Sequence, residues 1–139
     1  RIKKIIIVGI FILFPKSFNH KNPALTKILK KIENNIRESL TEVCDELLEL
    51  KVGFEWITHL VDFQRFPQSL KIVCIFNDDE TEQAFLNSPH FNDLKHDLLI
   101  RFKAMDISLK DIDKHLFLDN EAACLRTHEG KWGDRLRAQ

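Results

Sequence analysis

The stretch FEWITHLVDFQRFPQSLKIVCIF, Phe54 to Phe76, decides the fold. Two runs rich in β-branched and aromatic residues flank a short polar segment that holds Pro67. That pattern predicts a β-hairpin with a specialised tip. The first run, Phe54–Phe63, alternates imperfectly, with Phe54 and Trp56 on one side and Ile57, Val61 and Phe63 on the other. The second, Leu70–Phe76, is apolar on both faces, which predicts a central strand covered on both sides.

Upstream, Ile28, Ile32, Ile36, Leu40, Val43, Leu47 and Leu50 recur every three or four residues. This is one apolar stripe on a helix of about seven turns. Thr26 is its expected N-cap, with Pro23 just ahead, and Gly53 its stop signal. Charge along it runs from basic to acidic, against the helix dipole, so tertiary burial must hold it. Downstream, Asn77-Asp78-Asp79 ends the second strand and a short helix follows over Thr81–Asn87. Ser88-Pro89 starts another, with Ser as cap and Pro at the first helical position. Phe91, Leu94, Leu98, Phe102 and Met105 line its apolar face. His115–Leu118 reads as a third strand. Asp119 or Asn120 then caps a helix to about His128, Gly130 breaks it, and Trp132–Leu136 forms a final turn.

The result is an α+β single domain of order αββααβα, with a three-stranded sheet (hairpin plus third strand) packed with helices. The strand order stays open. The order of elements resembles the type II KH arrangement, which binds nucleotides through a Gly-x-x-Gly clamp. Asn87-Ser88-Pro89-His90 stands between the central helices instead. The one Gly-x-x-Gly, Gly130-Lys131-Trp132-Gly133, follows the last long helix.

Composition fits one soluble domain: 139 residues, 44% hydrophobic and 30% charged. Residues 1–23 stand apart as an N-terminal extension of doubtful status, against a domain over 24–139. They carry basic residues, no acid, and the apolar run IIIVGIFILF behind RIKK. That resembles the start of a signal peptide, but it is too short to span a bilayer, which takes about 20 residues. A non-native extension, an export element and an extra strand or helix all remain open. All 21 acidic residues but only 16 of the 21 basic ones lie in 24–139, a net of −5. That balance disfavours non-specific nucleic-acid binding but leaves a local basic strip open, and the expected partner is a protein. No membrane partner is expected for the domain itself.

Cys44, Cys74 and Cys124 are odd in number, widely spaced and set in apolar patterns, which predicts reduced thiols and a cytoplasmic protein. No motif for a metal, nucleotide or other cofactor is present, and none is expected. Cys124 and His128, four apart on one helix, share a face and make either a nucleophile pair or half a metal site, or simply a buried thiol beside a surface histidine. His59 and His115 face each other if the first and third strands are neighbours. Glu49-Leu50-Lys51 has the E-x-K form of some metal nucleases but ends a helix. Lys27, Lys30, Lys31 and Arg37, with Lys131, Arg135 and Arg137 around Trp132, make either a nucleic-acid strip with a stacking indole or a solvated face. The hairpin tip, Asp62-Phe63-Gln64-Arg65-Phe66-Pro67-Gln68, mixes Arg with aromatics, types enriched at interfaces. Arg65, Phe66, Pro67 and Gln68, with Trp132, are therefore the candidate partner-binding residues, and no catalytic residues are assigned. The simpler alternative folds Phe63 and Phe66 back onto the sheet and leaves Pro67 to set the turn.

The run Arg65-Phe66-Pro67-Gln68-Ser69-Leu70-Lys71-Ile72-Val73-Cys74-Ile75-Phe76, with Glu121-Ala122-Ala123-Cys124 and His128-Glu129-Gly130-Lys131-Trp132, resembles an uncharacterised family of small gamma-proteobacterial proteins. Its members are often labelled "Fis family transcriptional regulator". The resemblance covers about Leu25 to Leu136, and in such proteins the start falls near Leu25-Thr26-Lys27. It implies a DNA-binding regulator. A true Fis protein ends in a helix-turn-helix, whereas the C-terminal residues here read as a strand, a short helix and Gly130. Three functions therefore stand as expectations: a non-catalytic binding or regulatory module, a DNA- or RNA-binding transcriptional regulator, and a Cys/His enzyme.

Overall fold

A computed structural model of the protein describes residues 9–12 and 23–138. The chain forms β1 (Gly9–Ile12), α1 (Pro23–Glu49), β2 (Phe54–Val61), β3 (Lys71–Phe76), α2 (Asp79–Leu86), α3 (Pro89–Ala104), β4 (Leu116–Asn120), α4 (Glu121–His128) and α5 (Trp132–Arg137). The expected α+β domain and its αββααβα order are present. The sheet runs β1-β2-β3-β4. The hairpin strands β2 and β3 are antiparallel, and β4 lies parallel to β3 on its far side. β1 adds a fourth strand, parallel to β2, with Gly9 opposite Thr58 and Ile12 opposite Val61. The rest of the doubtful segment up to residue 22 lies outside the described residues.

The double-sided apolar pattern of β3 is explained by what covers it. Ile72, Cys74 and Phe76 face the main core with Ile36, Leu40, Val43, Cys44 and Leu47 of α1 and Leu94, Leu98 and Phe102 of α3. Val73 and Ile75 face the opposite side, against Leu136 and Trp132 of α5 and Trp56 of β2. A period-2 strand can be apolar throughout only when both faces are buried. Removing any one of the fully buried leucines would cost about 2–5 kcal/mol.

Helix boundaries follow local chemistry. Asp78 and Thr81 form a reciprocal capping box at the start of α2. Ser88 accepts from the His90 N–H ahead of α3, with Pro89 inside the first turn. Asn120 caps α4 through the Ala123 N–H. At α1 the expectation was off at both ends. Pro23, not Thr26, opens the helix, because proline is tolerated where the N–H has no intrahelical partner. The helix ends at Glu49, and Lys51 already adopts the left-handed conformation at φ 56°. Gly53, at φ 90°, instead serves close approach: a Cβ there would stand 2.6 Å from Thr81 Cβ. Neither end of α1 carries charge that complements the dipole, so burial from Glu33 to Leu47 holds it, as its reversed charge gradient required.

Candidate functional site: the cleft beside the hairpin tip

The tip is a built structure. β2 stops at Val61, two residues short of the expected Phe63, because Asp62 caps a tight 3-10 turn over Phe63–Arg65. Its carboxylate accepts the Gln64 N–H at 3.0 Å. Ser69 closes the loop, accepting the Asp62 N–H at 2.9 Å and donating its hydroxyl to the Asp62 carbonyl at 2.7 Å. The Ser69 and Leu70 N–H groups donate to the Arg65 and Pro67 carbonyls. The Phe66–Pro67 peptide is cis. Phe63 is buried and its ring lies 5.2 Å from that of Phe66, which is only half-buried. The Arg65 side chain is 74% exposed, with only a 3.8 Å approach to Asp62.

A cleft of about 540 Å³ opens between this tip and the segment joining α3 to β4. Phe66, Pro67 and Gln68 make one wall; Asp106, Ile107 and Ser108 begin the other. Lys110, Asp111, Lys114 and His115 complete it. The size falls within the range of about 300–1,000 Å³ usual for ligand sites. The second wall is fixed locally. At the end of α3 the Ile107 N–H reaches the Phe102 carbonyl and the Asp106 N–H the Lys103 carbonyl. Asp106 is left-handed at φ 64°, the geometry of a Schellman stop. Ile107 and Leu109 insert into the core and leave Ser108 and Lys110 outside. Asp111 caps the next short turn, accepting the Asp113 N–H at 3.2 Å.

His115 closes the inner end. Its Nδ1 lies 2.7 Å from the Leu70 carbonyl oxygen, which only accepts, so Nδ1 carries the hydrogen. Lys110 and Lys114 make no ion pair among the described residues, in contrast to the neighbouring Lys95, which meets Asp113 at 2.9 Å.

The other candidates lie elsewhere. Trp132 is far from any open surface role: its Nε1 donates to Glu121 Oε1 at 2.9 Å, and Trp56 Nε1 donates to Glu121 Oε2 at 2.6 Å. The two indoles meet edge-on, 5.3 Å between centroids. Arg135 makes a bidentate pair with Asp119, at 2.7 and 2.8 Å. It also donates to Thr127 Oγ1 and His128 Nδ1. Arg137 lies 3.4 Å from Asp134 and Lys131 3.5 Å from Glu129, so the C-terminal basic cluster is matched by acids of its own chain. Lys27, Lys30, Lys31 and Arg37 remain exposed on α1.

Cys124 is fully buried, and burial raises its thiol above the ordinary range. Its helical neighbour His128 is engaged by Arg135 instead. Cys74 is raised further by burial, with Cys44 close by. His59 and His115 do not meet, because β3 separates β2 from β4. His59 pairs with Glu33 of α1 at 3.0 Å, both inside the core. Lys51 of the E-x-K run is a helix-end residue, not a strand residue. Among the described residues no group of three or more His, Cys, Asp or Glu is placed to hold a metal ion. Among them, too, no helix is long and apolar enough to cross a membrane.

Sequence reasoning found one wall of the cleft and missed the other. Residues 106–115 lack helical or strand period, so no pattern pointed to them. The one signal was the alternation of Ile107 and Leu109 with Ser108 and Lys110, which marks a loop pinned to the core with polar residues left outside. No protein-family model, no curated protein and no solved structure matches this chain.

Proposed function

We propose that the chain is a non-catalytic binding and regulatory module that engages a protein partner through the hairpin tip and the cleft beside it. The observation that carries this is the contrast in side-chain pairing. At the tip, Arg65 is exposed and, among the described residues, Lys110 and Lys114 make no ion pair, while Phe66 and Pro67 offer apolar surface within the same cleft. An exposed arginine beside a half-buried aromatic, next to a concave site, is a common composition for an interaction anchor. Photo-crosslinking tests it. With a benzophenone amino acid at Gln68, a discrete adduct with one protein is expected in cells, and none with the same group at the exposed Glu80 of α2, beyond the end of β3 opposite the tip. The adduct should disappear on Arg65→Ala. Equal labelling from both positions would remove the tip from consideration.

A DNA- or RNA-binding regulator is the second reading. Its support is the exposed Lys27, Lys30 and Lys31 on α1, together with the family resemblance. Binding that weakens steeply with salt, measured by gel shift on the full chain, would favour it; no shift at low salt would eliminate it. A thiol enzyme built on Cys124 has less behind it. A buried thiol held protonated is a poor nucleophile, and slow alkylation of native protein at Cys124 is the expected outcome.

A further inference from the structure

We infer that the tip cleft takes an acidic peptide segment: a carboxylate side chain held between Lys110 and Lys114, a backbone N–H given to His115 Nε2, and a neighbouring apolar side chain laid on Phe66 and Pro67. The inference rests on the tip as the partner surface and names the chemistry of what binds there.

The argument begins with the imidazole. His115 is only 7% exposed. Its Nδ1–H is committed to the Leu70 carbonyl, so the neutral ring presents Nε2 as an acceptor. Among the described residues, His59 Nδ1 is the buried side-chain polar atom without a partner. Nε2 of His115 has no hydrogen bond yet is not sealed off, and the space its residue lines is the cleft. The site therefore offers one accessible acceptor, which calls for a donor on the ligand. The lysines add two cations that, among the described residues, make no ion pair although Asp106 and Asp111 line the same cleft, so each can still receive an anion.

The acids in the lining limit how much negative charge fits. The Asp111 carboxylate is spent on a backbone N–H and Asp106 stands at the end of α3, so the four charged residues sum to zero. With the lining at zero, a doubly charged phosphate would take the cleft to −2 against both carboxylates, while a single carboxylate beside the two lysines takes it only to −1. A ligand that combines an anion, an N–H donor and an apolar group within one cleft of this volume is an acidic residue beside an apolar one in an extended chain. A simple organic acid lacks the donor for Nε2.

The full chain is applied to arrays of N-acetylated hexapeptides with a fixed centre and randomised flanks. The centres are Glu-Leu, the neutral Gln-Leu, and phosphoserine-Leu. The Glu-Leu set is expected to retain at least about fivefold more protein than Gln-Leu, as a charge-assisted contact should. The double variant Lys110→Gln/Lys114→Gln should bring the two sets level. Ser108→Trp, which fills the cleft from an exposed position, should abolish both signals while leaving the thermal midpoint in place. Stronger retention by phosphoserine-Leu overturns the inference. So does equal retention by Glu-Leu and Gln-Leu; in that case loss of both on Ser108→Trp would leave the tip as the partner surface with a neutral ligand. Retention that ignores Ser108→Trp, or no retention on any set, removes both the inference and the tip reading.

Discussion

The hairpin tip and the C-terminal clasp gather the same kinds of residue and do opposite things with them. Each holds aromatics beside arginine or lysine. At the clasp, one carboxylate, Glu121, takes the N–H of both indoles, and Asp119 takes two N–H groups of Arg135. At the tip, Arg65 has only a 3.8 Å approach to Asp62, and among the described residues Lys110 and Lys114 make no ion pair. Composition alone ranks Trp132 with Arg65 as an anchor for a partner. Hydrogen-bond accounting separates them: where the donors are consumed internally a cluster holds the fold, and where they are left over it is available to something else.

The largest expected effect breaks the comparison if it fails. Arg135→Ala leaves the Asp119 carboxylate, with its side chain 8% exposed, without its bidentate partner. Removing one member of a nearly buried pair costs about 3 kcal/mol, read as a lower urea midpoint. The double variant Asp119→Ala/Arg135→Ala should cost less than the two single changes summed, since no stranded charge remains. A loss under about 1 kcal/mol for Arg135→Ala would mean that the clasp holds little, and its distinction from the tip would lapse.

Glu121→Gln comes next. The amide offers one oxygen where the carboxylate offered two, so one of the two half-buried indoles loses its acceptor. A loss of about 1–2 kcal/mol is expected, with a red shift in tryptophan emission as that ring gains water. An unchanged spectrum would show that the indoles are held by packing alone.

These two outcomes bear on what could be read before any coordinates. The long period-3.6 stripe of α1, the Ser88-Pro89 start and the two-sided β3 were legible because each is written locally, in spacing or in a cap. The role of Glu121 was not. In sequence it is a first-turn acid, and its partners lie 65 and 11 residues away in opposite directions. Glu33 was hidden for the same reason. A charged residue near the apolar stripe of α1 makes sense only once β2 places His59 against it. Strand order decides which histidines meet, and nothing local records that β3 lies between β2 and β4. The tip was legible by composition, yet the lysines and imidazole that give its cleft a chemistry sit in a loop with no period to betray them.

A smaller effect is expected at the edge of the clasp as pH falls. The Asn120 amide first, and then Arg126, hold the Asp79 carboxyl below the ordinary carboxylate range. A depressed folded-state value contributes stability that is present above about pH 4 and is lost as pH drops through the lower, folded value. Asp79→Asn should therefore lower stability slightly at neutral pH and flatten the acid limb below about pH 4, the two proteins converging as pH falls. The group is largely solvated, so the change in slope is slight. A steeper limb in the variant would reverse the assignment.

The smallest effect sharpens the contrast most. Lys110→Gln/Lys114→Gln removes two charges that make no ion pair among the described residues, so stability should stay within about 0.5 kcal/mol of the starting protein. The clasp substitutions should cost several times that while leaving peptide retention intact wherever the protein remains folded. This reciprocal pattern, stability lost at one end and binding lost at the other, follows only if the tip lysines are spare. A loss of more than about 1 kcal/mol on their removal would mean that they serve the fold. The exposed positive charge at Lys110 and Lys114 would then have the same kind of explanation as Arg135, and the cleft would be a seam in the packing with no call on a ligand.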